Sequence, residues 1–121
     1  MIEELTNNRT IWLYDDGSLE RDYMYITDAV DAIQLLAEKG EKGAVYLVGS
    51  GKKYSFAWMV RRMQEIAGAG KVTFVESPGF HKRVGIGNFV CDCSKLKRLG
   101  WEPTVDIEDG IRKTVEWYAN G

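Results

Sequence analysis

Hydrophobic and polar residues alternate along the chain with two different periods, one typical of helices and one typical of strands. Apolar positions recur every three or four residues in the segments predicted as the main helices, which are 28–39, 56–67 and 107–118. Shorter apolar runs have the length of strands, and the predicted strands are 11–14, 22–26, 44–48, 71–76 and a short one at 89–91. This succession predicts an α/β fold of short strands and about four helices.

Polar residues and glycines mark where the predicted helices begin and end. Ser55 and Asp106 stand where a side-chain oxygen caps the first turn of a helix, and Thr27 or Asp28 offers such an oxygen to helix 28–39. Gly40 follows that helix and is expected to adopt the left-handed conformation that ends it. The sequence therefore predicts where the helices begin and end as well as which segments are helical.

Composition and charge indicate one soluble globular domain covering residues 1–121. Hydrophobic residues make up 45% and charged residues 28%, and sixteen basic against eighteen acidic side chains give a net charge of −2. There is thus no electrostatic case for nucleic acid binding. No apolar run approaches the roughly 18 to 20 residues that a membrane span needs, and no signal peptide is visible. Cys91 and Cys93 are too close for an ordinary structural disulfide, which suggests reduced thiols and a cytoplasmic location.

Few residues offer catalytic or metal-binding chemistry. The single histidine, His81, has no partner that the sequence reveals, and it is more simply read as an exposed loop residue. Together with Cys91 and Cys93 it supplies three soft ligands, yet zinc ligands usually come in pairs two to four residues apart. We therefore predict no metal site and no catalytic residue in this chain.

The segment Gly49-Ser50-Gly51 follows a predicted strand and precedes a helix, as a phosphate-binding loop would. It lacks the Lys-Ser/Thr pair of a P-loop and the third glycine of the dinucleotide-binding fingerprint. We expect Gly49 and Gly51 to serve turns instead. No residue of the chain is therefore assigned to a cofactor.

Three blocks of the sequence resemble, in the same order, segments of the extended short-chain dehydrogenases/reductases. Residues 11–33, "IWLYDDGSLERDYMYITDAVDAI", resemble a family segment with a Y-G-D-G turn followed by Arg-Asp and an aromatic residue. Residues 44–60, "AVYLVGSGKKYSFAWMV", resemble the family's Y-N-[VI]-G-x-G block. Residues 92–118 resemble the C-terminal block D-x-S-K…L-G-W-x-P. Almost the whole chain is covered.

The resemblance is to NAD-dependent nucleotide-sugar epimerases and dehydratases, the family that includes UDP-glucose 4-epimerase and dTDP-glucose 4,6-dehydratase. It implies that the chain is the C-terminal substrate-binding part, because the Gly-rich cofactor loop and the Tyr-x-x-x-Lys pair of the family's N-terminal Rossmann domain are absent from this sequence. NAD is then expected only with that missing domain. The implied partners are a nucleotide diphosphate sugar and a Rossmann-domain chain, or a second copy.

The resemblance also implies roles for individual residues. Tyr14 matches the aromatic residue that lies against the nucleotide base, and Arg21 matches the arginine that contacts the diphosphate. Loop 77–88 matches the family loop whose arginine also reaches the phosphates, and we assign that role to Arg83, with Lys82 as the alternative. The chemistry fits, since a guanidinium gives a phosphate two parallel hydrogen bonds and a phenol ring covers the face of a base.

Departures from the family pattern leave a second interpretation open. Asp15 stands where the family usually has glycine, and Leu47 stands where it has asparagine. Proline and aspartate are also absent from the segment "RVGIG". The alternative is therefore a non-catalytic binding or protein-interaction domain that keeps the fold without the sugar-nucleotide chemistry.

Overall fold

The computed structural model describes residues 1–80, 85 and 87–121. Within this part of the chain there are five helices and four strands, whose mixture confirms the predicted α/β class. In chain order they are α1 (Ile2–Thr6), β1 (Thr10–Tyr14), β2 (Glu20–Asp22), α2 (Ile26–Lys39), β3 (Lys53–Ser55), α3 (Phe56–Ala67), β4 (Lys71–Val75), α4 (Ser94–Lys97) and α5 (Ile107–Asn120). None of these helices is long and apolar enough to cross a membrane.

The strands form two small sheets of two strands each. Strand β1 runs parallel to β4, with Tyr14 opposite Val75 at the end of the pair. Strand β2 runs antiparallel to β3, with Arg21 opposite Tyr54. Because β1 and β4 are parallel, the segments that leave them start at the same edge of the sheet. In α/β folds this carboxyl edge is the usual place for a ligand.

Three hydrophobic clusters connect the helices to the sheets. Their buried members are Leu5, Ile11, Leu13 and Val60 in the first cluster, Ala32, Leu96 and Trp101 in the second, and Met59, Ile111 and Val115 in the third. Helix α3 contributes to the first and third clusters, so it joins the parallel sheet to α5. Its start is capped as predicted, since the Ser55 hydroxyl accepts the Trp58 N–H. Asp106 caps α5 in the same way, accepting the N–H of Glu108.

Helix α2 begins at Ile26, and the prediction that Asp28 caps it is wrong. Asp28 is buried, and its Oδ1 accepts the N–H of Thr104 at 3.0 Å and its hydroxyl at 2.8 Å. Its Oδ2 accepts the N–H of Val105 at 3.0 Å. The carboxylate thus ties α2 to the segment that precedes α5. Asp28 therefore binds a distant segment of the chain instead of capping its own helix.

The end of α2 also differs from the prediction. Gly40 has φ −64°, which any residue can adopt, so the expected left-handed conformation is not present. The position favours glycine for a steric reason, because a Cβ there would lie 2.4 Å from the carbonyl oxygen of Leu36.

Three predicted strands are corrected in the part of the chain that the structure describes. Residues 44–48 pair with no other strand, and apolar sequence alone does not make a strand without a neighbour. The strand expected at 22–26 lies earlier, at β2, because Tyr25 already precedes the first turn of α2. Residues 89–91 form no regular strand, although the Phe89 N–H donates to the Glu20 carbonyl at 3.1 Å.

We expect Asp28→Asn to lower the free energy of unfolding by about 2 kcal/mol at neutral pH, since an amide cannot accept all three hydrogen bonds. Burial by itself raises the pKa of Asp28, but the hydrogen bonds from Thr104 and Val105 outweigh it and lower the pKa below the ordinary value. A lowered folded-state pKa gives stability that is present above the unfolded-state pKa and lost as the pH falls through the folded one.

Urea unfolding at neutral pH and below a pH of about 4 measures this contribution. The difference between wild type and Asp28→Asn should shrink as the pH falls. Asp31→Asn, on an exposed position of the same helix, is the matched control and should leave the stability unchanged. Equal stability of wild type and Asp28→Asn at neutral pH would contradict the prediction.

Candidate functional site

A cavity of about 650 Å³ lies at the carboxyl edge of the parallel sheet. Pockets that hold small molecules have volumes of about 300 to 1,000 Å³. The described residues that line it belong to three segments of the chain, and they are residues 14–19 with Arg21, then Ser77, then Gly85, Gly87 and Asn88. The structure therefore brings Tyr14 and Arg21, two of the three predicted site residues, to the same cavity.

Tyr14 is placed by the turn that follows β1. Asp15 has φ +54° and Gly17 has φ +65°, so the chain reverses sharply after the tyrosine. The Asp15 N–H donates to the carbonyl of Val75 at 2.7 Å, which extends the pairing with β4 by one bond. A Cβ on Gly17 would come within 2.9 Å of the Ala57 side chain. The turn is thus packed against the start of α3, and it leaves the Tyr14 side chain half-exposed beside the cavity.

Arg21 is held at the cavity by two backbone carbonyls. One guanidinium nitrogen donates to the oxygen of Glu20 at 2.9 Å and to the oxygen of Gly87 at 2.7 Å. These bonds fix the plane of the guanidinium, and a fixed guanidinium loses less entropy when it binds an anion.

Burial raises the pKa of the neighbouring Tyr23, while the charge of Arg21 acts in the opposite direction. Tyr23 therefore stays protonated at neutral pH, in agreement with a packing role.

Asp22, the next residue, binds two distant segments of the chain to β2. Its Oδ1 accepts the N–H of Ser50 at 2.8 Å and the Ser50 hydroxyl at 2.6 Å. Its Oδ2 accepts the N–H of Gly51 at 2.9 Å and the N–H of Cys91 at 3.1 Å. The backbone donors of residues 50–51 are therefore bound to a carboxylate within the protein.

This arrangement does not fit the pyrophosphate of a dinucleotide at residues 49–51. A phosphate-binding loop needs backbone N–H groups that point at the ligand, whereas Asp22 takes two of them and adds a negative charge. Gly51 has φ +75°, and a Cβ on Gly49 would lie 2.7 Å from an Asp22 oxygen. The left-handed φ of Gly51 agrees with the predicted turn role, whereas Gly49 is favoured by the close approach of Asp22 and Cys91.

The cysteines are poor ligands and poor nucleophiles in this environment. Burial, and then the nearby Asp22 carboxylate, raise the pKa of both Cys91 and Cys93, so they remain thiols at neutral pH. Among the described residues, no group of three His, Cys, Asp or Glu side chains is arranged to hold a metal ion. His81, Lys82 and Arg83 lie outside the described residues, so the assignment of Arg83, with Lys82 as the alternative, stays a prediction.

Two residues of the site were not found from the sequence. Asn88 binds Glu20 twice, since its Oδ1 accepts the Glu20 N–H and its Nδ2 donates to Oε2, both at 3.0 Å. Ser77 lies two residues beyond β4, and its N–H donates to Oδ1 of Asp15 at 3.1 Å. The parallel pairing of β1 with β4 places Ser77 beside the turn after Tyr14. A sequence-based signal would have required knowledge of that pairing.

The fold and the cavity together define an α/β domain with a candidate ligand site at the carboxyl ends of two parallel strands. The sequence profile of the family described as GDP-mannose 4,6 dehydratase matches residues 1–114. The chain therefore belongs to this family, which is part of the extended short-chain dehydrogenases/reductases. It is 34% identical over 117 residues to dTDP-glucose 4,6-dehydratase of Streptomyces griseus, covering 94% of this chain and 34% of that protein.

Solved structures agree with this membership. UDP-glucose 4-epimerase of Thermotoga maritima, determined with UDP-glucose, is 28% identical with a TM-score of 0.88, covering 98% of this chain and 38% of that one. dTDP-glucose 4,6-dehydratase of Bacillus anthracis, in complex with NAD, is 25% identical with a TM-score of 0.86, covering 99% and 38% respectively. The chain thus spans little more than a third of the length of these relatives.

We expect Gly49→Ala to lower the free energy of unfolding by about 2 kcal/mol, because the added methyl group would overlap Asp22 and Cys91. Urea unfolding measures the change. Gly79→Ala is the matched control, since a Cβ there meets no atom within 4 Å and should leave the stability nearly unchanged. A Gly49→Ala variant as stable as the control would show that the loop around Asp22 yields easily.

Proposed function

We propose that the chain is the nucleotide-sugar-binding domain, residues 1–121, of an NAD-dependent epimerase or dehydratase, and that it is not catalytic on its own. The observation that supports this is the meeting of Tyr14 and Arg21 at one cavity, from two different strands. An aromatic face and a fixed guanidinium are the two features that a nucleoside diphosphate requires. The size of the cavity suits such a ligand as well.

In the proposed complex the base lies against the ring of Tyr14 and the diphosphate binds the guanidinium of Arg21. Arginine suits this role because its planar, permanently charged group can bind two phosphate oxygens at once. Arg83 is the proposed second phosphate ligand, with Lys82 as the alternative. The relative from Thermotoga maritima, whose structure contains UDP-glucose, supports a nucleotide sugar as the class of ligand.

We propose further that NAD is bound by a separate Rossmann domain, either in the same polypeptide or in a partner chain. Hydride transfer from a sugar carbon needs the nicotinamide together with an acid/base group beside the reacting atom. The residues around the cavity supply groups that bind the nucleotide end of a ligand. The thiols of Cys91 and Cys93 agree with a reducing, cytoplasmic location.

A partner domain is also supported by the apolar surface on and near α2. Ile26, Val30 and Ile33 follow helical spacing on one face of α2 and are exposed, Ile33 by 63%. The unpaired residues 44–48 present Val45, which is 79% exposed. Exposed apolar surface of this kind marks an interaction site. We propose that a Rossmann domain covers it, and that a second copy of the chain takes its place when that domain is absent.

The nucleotide-sugar site is tested by following the melting temperature during titration with UDP-glucose, dTDP-glucose and GDP-mannose. A ligand that binds only the folded state stabilises it by about 2.7 kcal/mol at a hundred times its Kd. We expect at least one of the three to raise the melting temperature. Arg21→Ala should weaken its binding by about tenfold to a hundredfold, because a hydrogen bond to a charged group is lost.

Arg61→Ala provides the control, since this arginine is exposed on α3 and does not line the cavity. It should bind the ligand as wild type does. The absence of any shift at millimolar nucleotide sugar would favour the non-catalytic interaction domain. An equal shift in wild type and Arg21→Ala would remove Arg21 from the site.

The apolar surface is tested by sedimentation of the isolated chain over a range of concentrations. We expect reversible self-association, and we expect Ile33→Asp to shift the chain toward monomer because a charge cannot be buried there without a partner. Gln34→Asp, which adds the same charge at the next exposed position of α2, should associate as wild type does. A wild-type chain that stays monomeric at all concentrations would speak against coverage by a second copy.

A further inference from the structure

The hydroxyl of Ser77 is an exception to the hydrogen-bonding rule for buried polar groups. Among the residues that the structure describes, only Ser77 Oγ and Trp101 Nε1 are buried side-chain polar atoms without a hydrogen-bond partner. Trp101 belongs to the hydrophobic cluster of Ala32 and Leu96. Ser77, by contrast, lines the candidate site and is only 8% exposed. An unsatisfied group of this kind in a ligand cavity needs a physical explanation.

The position of Ser77 is fixed by its backbone. Its N–H donates to Oδ1 of Asp15, the residue after Tyr14, so the segment beyond β4 is fastened to the turn beyond β1. Ser77 lines the cavity, and a serine side chain has three staggered positions about one bond, so its hydroxyl can be reoriented without moving the backbone. Ser77 is therefore held at the nucleoside end of the site, with a hydroxyl that can turn.

Packing does not explain why this residue is serine. A buried hydroxyl without a partner costs free energy, whereas alanine would fill nearly the same space without that cost. A hydrogen bond to a bound ligand removes the cost and accounts for the residue type.

The charges around Ser77 indicate which part of a ligand it meets. The carboxylate of Asp15 is bonded to the backbone of the same residue, and Asp16 also lines the cavity. Two carboxylates disfavour a phosphate at this point, because like charges at short distance repel. The cationic group of the described lining is Arg21, which is held on β2. The neighbourhood of Ser77 thus suits an uncharged polar group.

We propose that Ser77 is a specificity-determining residue that binds an uncharged oxygen of the nucleoside, either a ribose hydroxyl or a base carbonyl. The proposal rests on the proposed function and adds a residue and a subsite to it. On this proposal the hydroxyl of Ser77 strengthens ligand binding and lowers the stability of the ligand-free protein. These two effects have opposite signs, so they can be measured separately.

Ser77→Ala separates a ligand-binding role from a structural one. We expect it to bind UDP about three- to tenfold more weakly in calorimetry, as the loss of one hydrogen bond predicts. Its stability without ligand, measured by urea unfolding, should be unchanged or higher than that of wild type. Ser94→Ala is the matched control, because its hydroxyl binds Asp92 outside the cavity. That variant should lose a little stability and bind UDP normally.

Three further probes locate the bond on the ligand. Binding of inorganic pyrophosphate should be the same in wild type and Ser77→Ala. If the partner is the ribose 2′-hydroxyl, the difference between the two proteins should disappear with 2′-deoxyuridine diphosphate. If it persists there but disappears with ribose 5-phosphate, the partner is a base carbonyl.

The outcomes that overturn the proposal are distinct. Equal binding of UDP by wild type and Ser77→Ala rejects the role of Ser77 while the proposed function stands. Weakened pyrophosphate binding makes Ser77 a phosphate ligand and also overturns the proposal. If wild type binds neither UDP nor any nucleotide sugar, the proposed function fails, and the inference fails with it.

Discussion

The arrangement of the candidate site depends on four hydrogen bonds to one carboxylate, that of Asp22. The donors belong to residues 50–51 and to Cys91, which lie far from Asp22 in the chain. Together they hold β2 between β3 and the segment that follows Gly87. Arg21 precedes Asp22 and donates to the carbonyl of Gly87, so its guanidinium is fixed by the same assembly. A carboxylate that accepts several N–H groups is a strong and directional anchor.

The other wall of the cavity depends on the parallel pairing of β1 with β4. This pairing brings the turn after Tyr14 next to Ser77, although 62 residues separate Asp15 from Ser77. The turn itself requires Asp15 in the left-handed region, a conformation that is uncommon for residues other than glycine. Bonds to Val75 and Ser77 offset that cost by fastening Asp15 on both sides. Each wall is therefore held by an aspartate that binds backbone N–H groups.

A second feature, separate from the cavity, is the exposed apolar surface that includes residues 44–48. Tyr46 and Val48 pack on the cluster of Leu96 and Trp101, while the alternate residues Val45 and Leu47 are exposed. A segment that is apolar on both its buried and its exposed positions is typical of a strand covered on both faces in a larger sheet. In the proposed function the site and this surface serve different interactions, one with a small ligand and one with protein.

The sequence by itself determined the elements whose signals are local. The caps at Ser55 and Asp106 and the buried stripes of α3 and α5 follow from residues within one or two turns, so they could be predicted. Tyr14 and Arg21 were predicted as site residues from the resemblance of a short segment to the family. Tertiary structure decided everything that depends on distant partners. Asp28 binds Thr104, 76 residues away, instead of capping α2. Residues 44–48 form no strand because no neighbouring strand pairs with them. Ser77 reaches the site only through the pairing of β1 with β4. Local periodicity carries no information about which distant segment will supply a hydrogen bond, because that choice is made by packing.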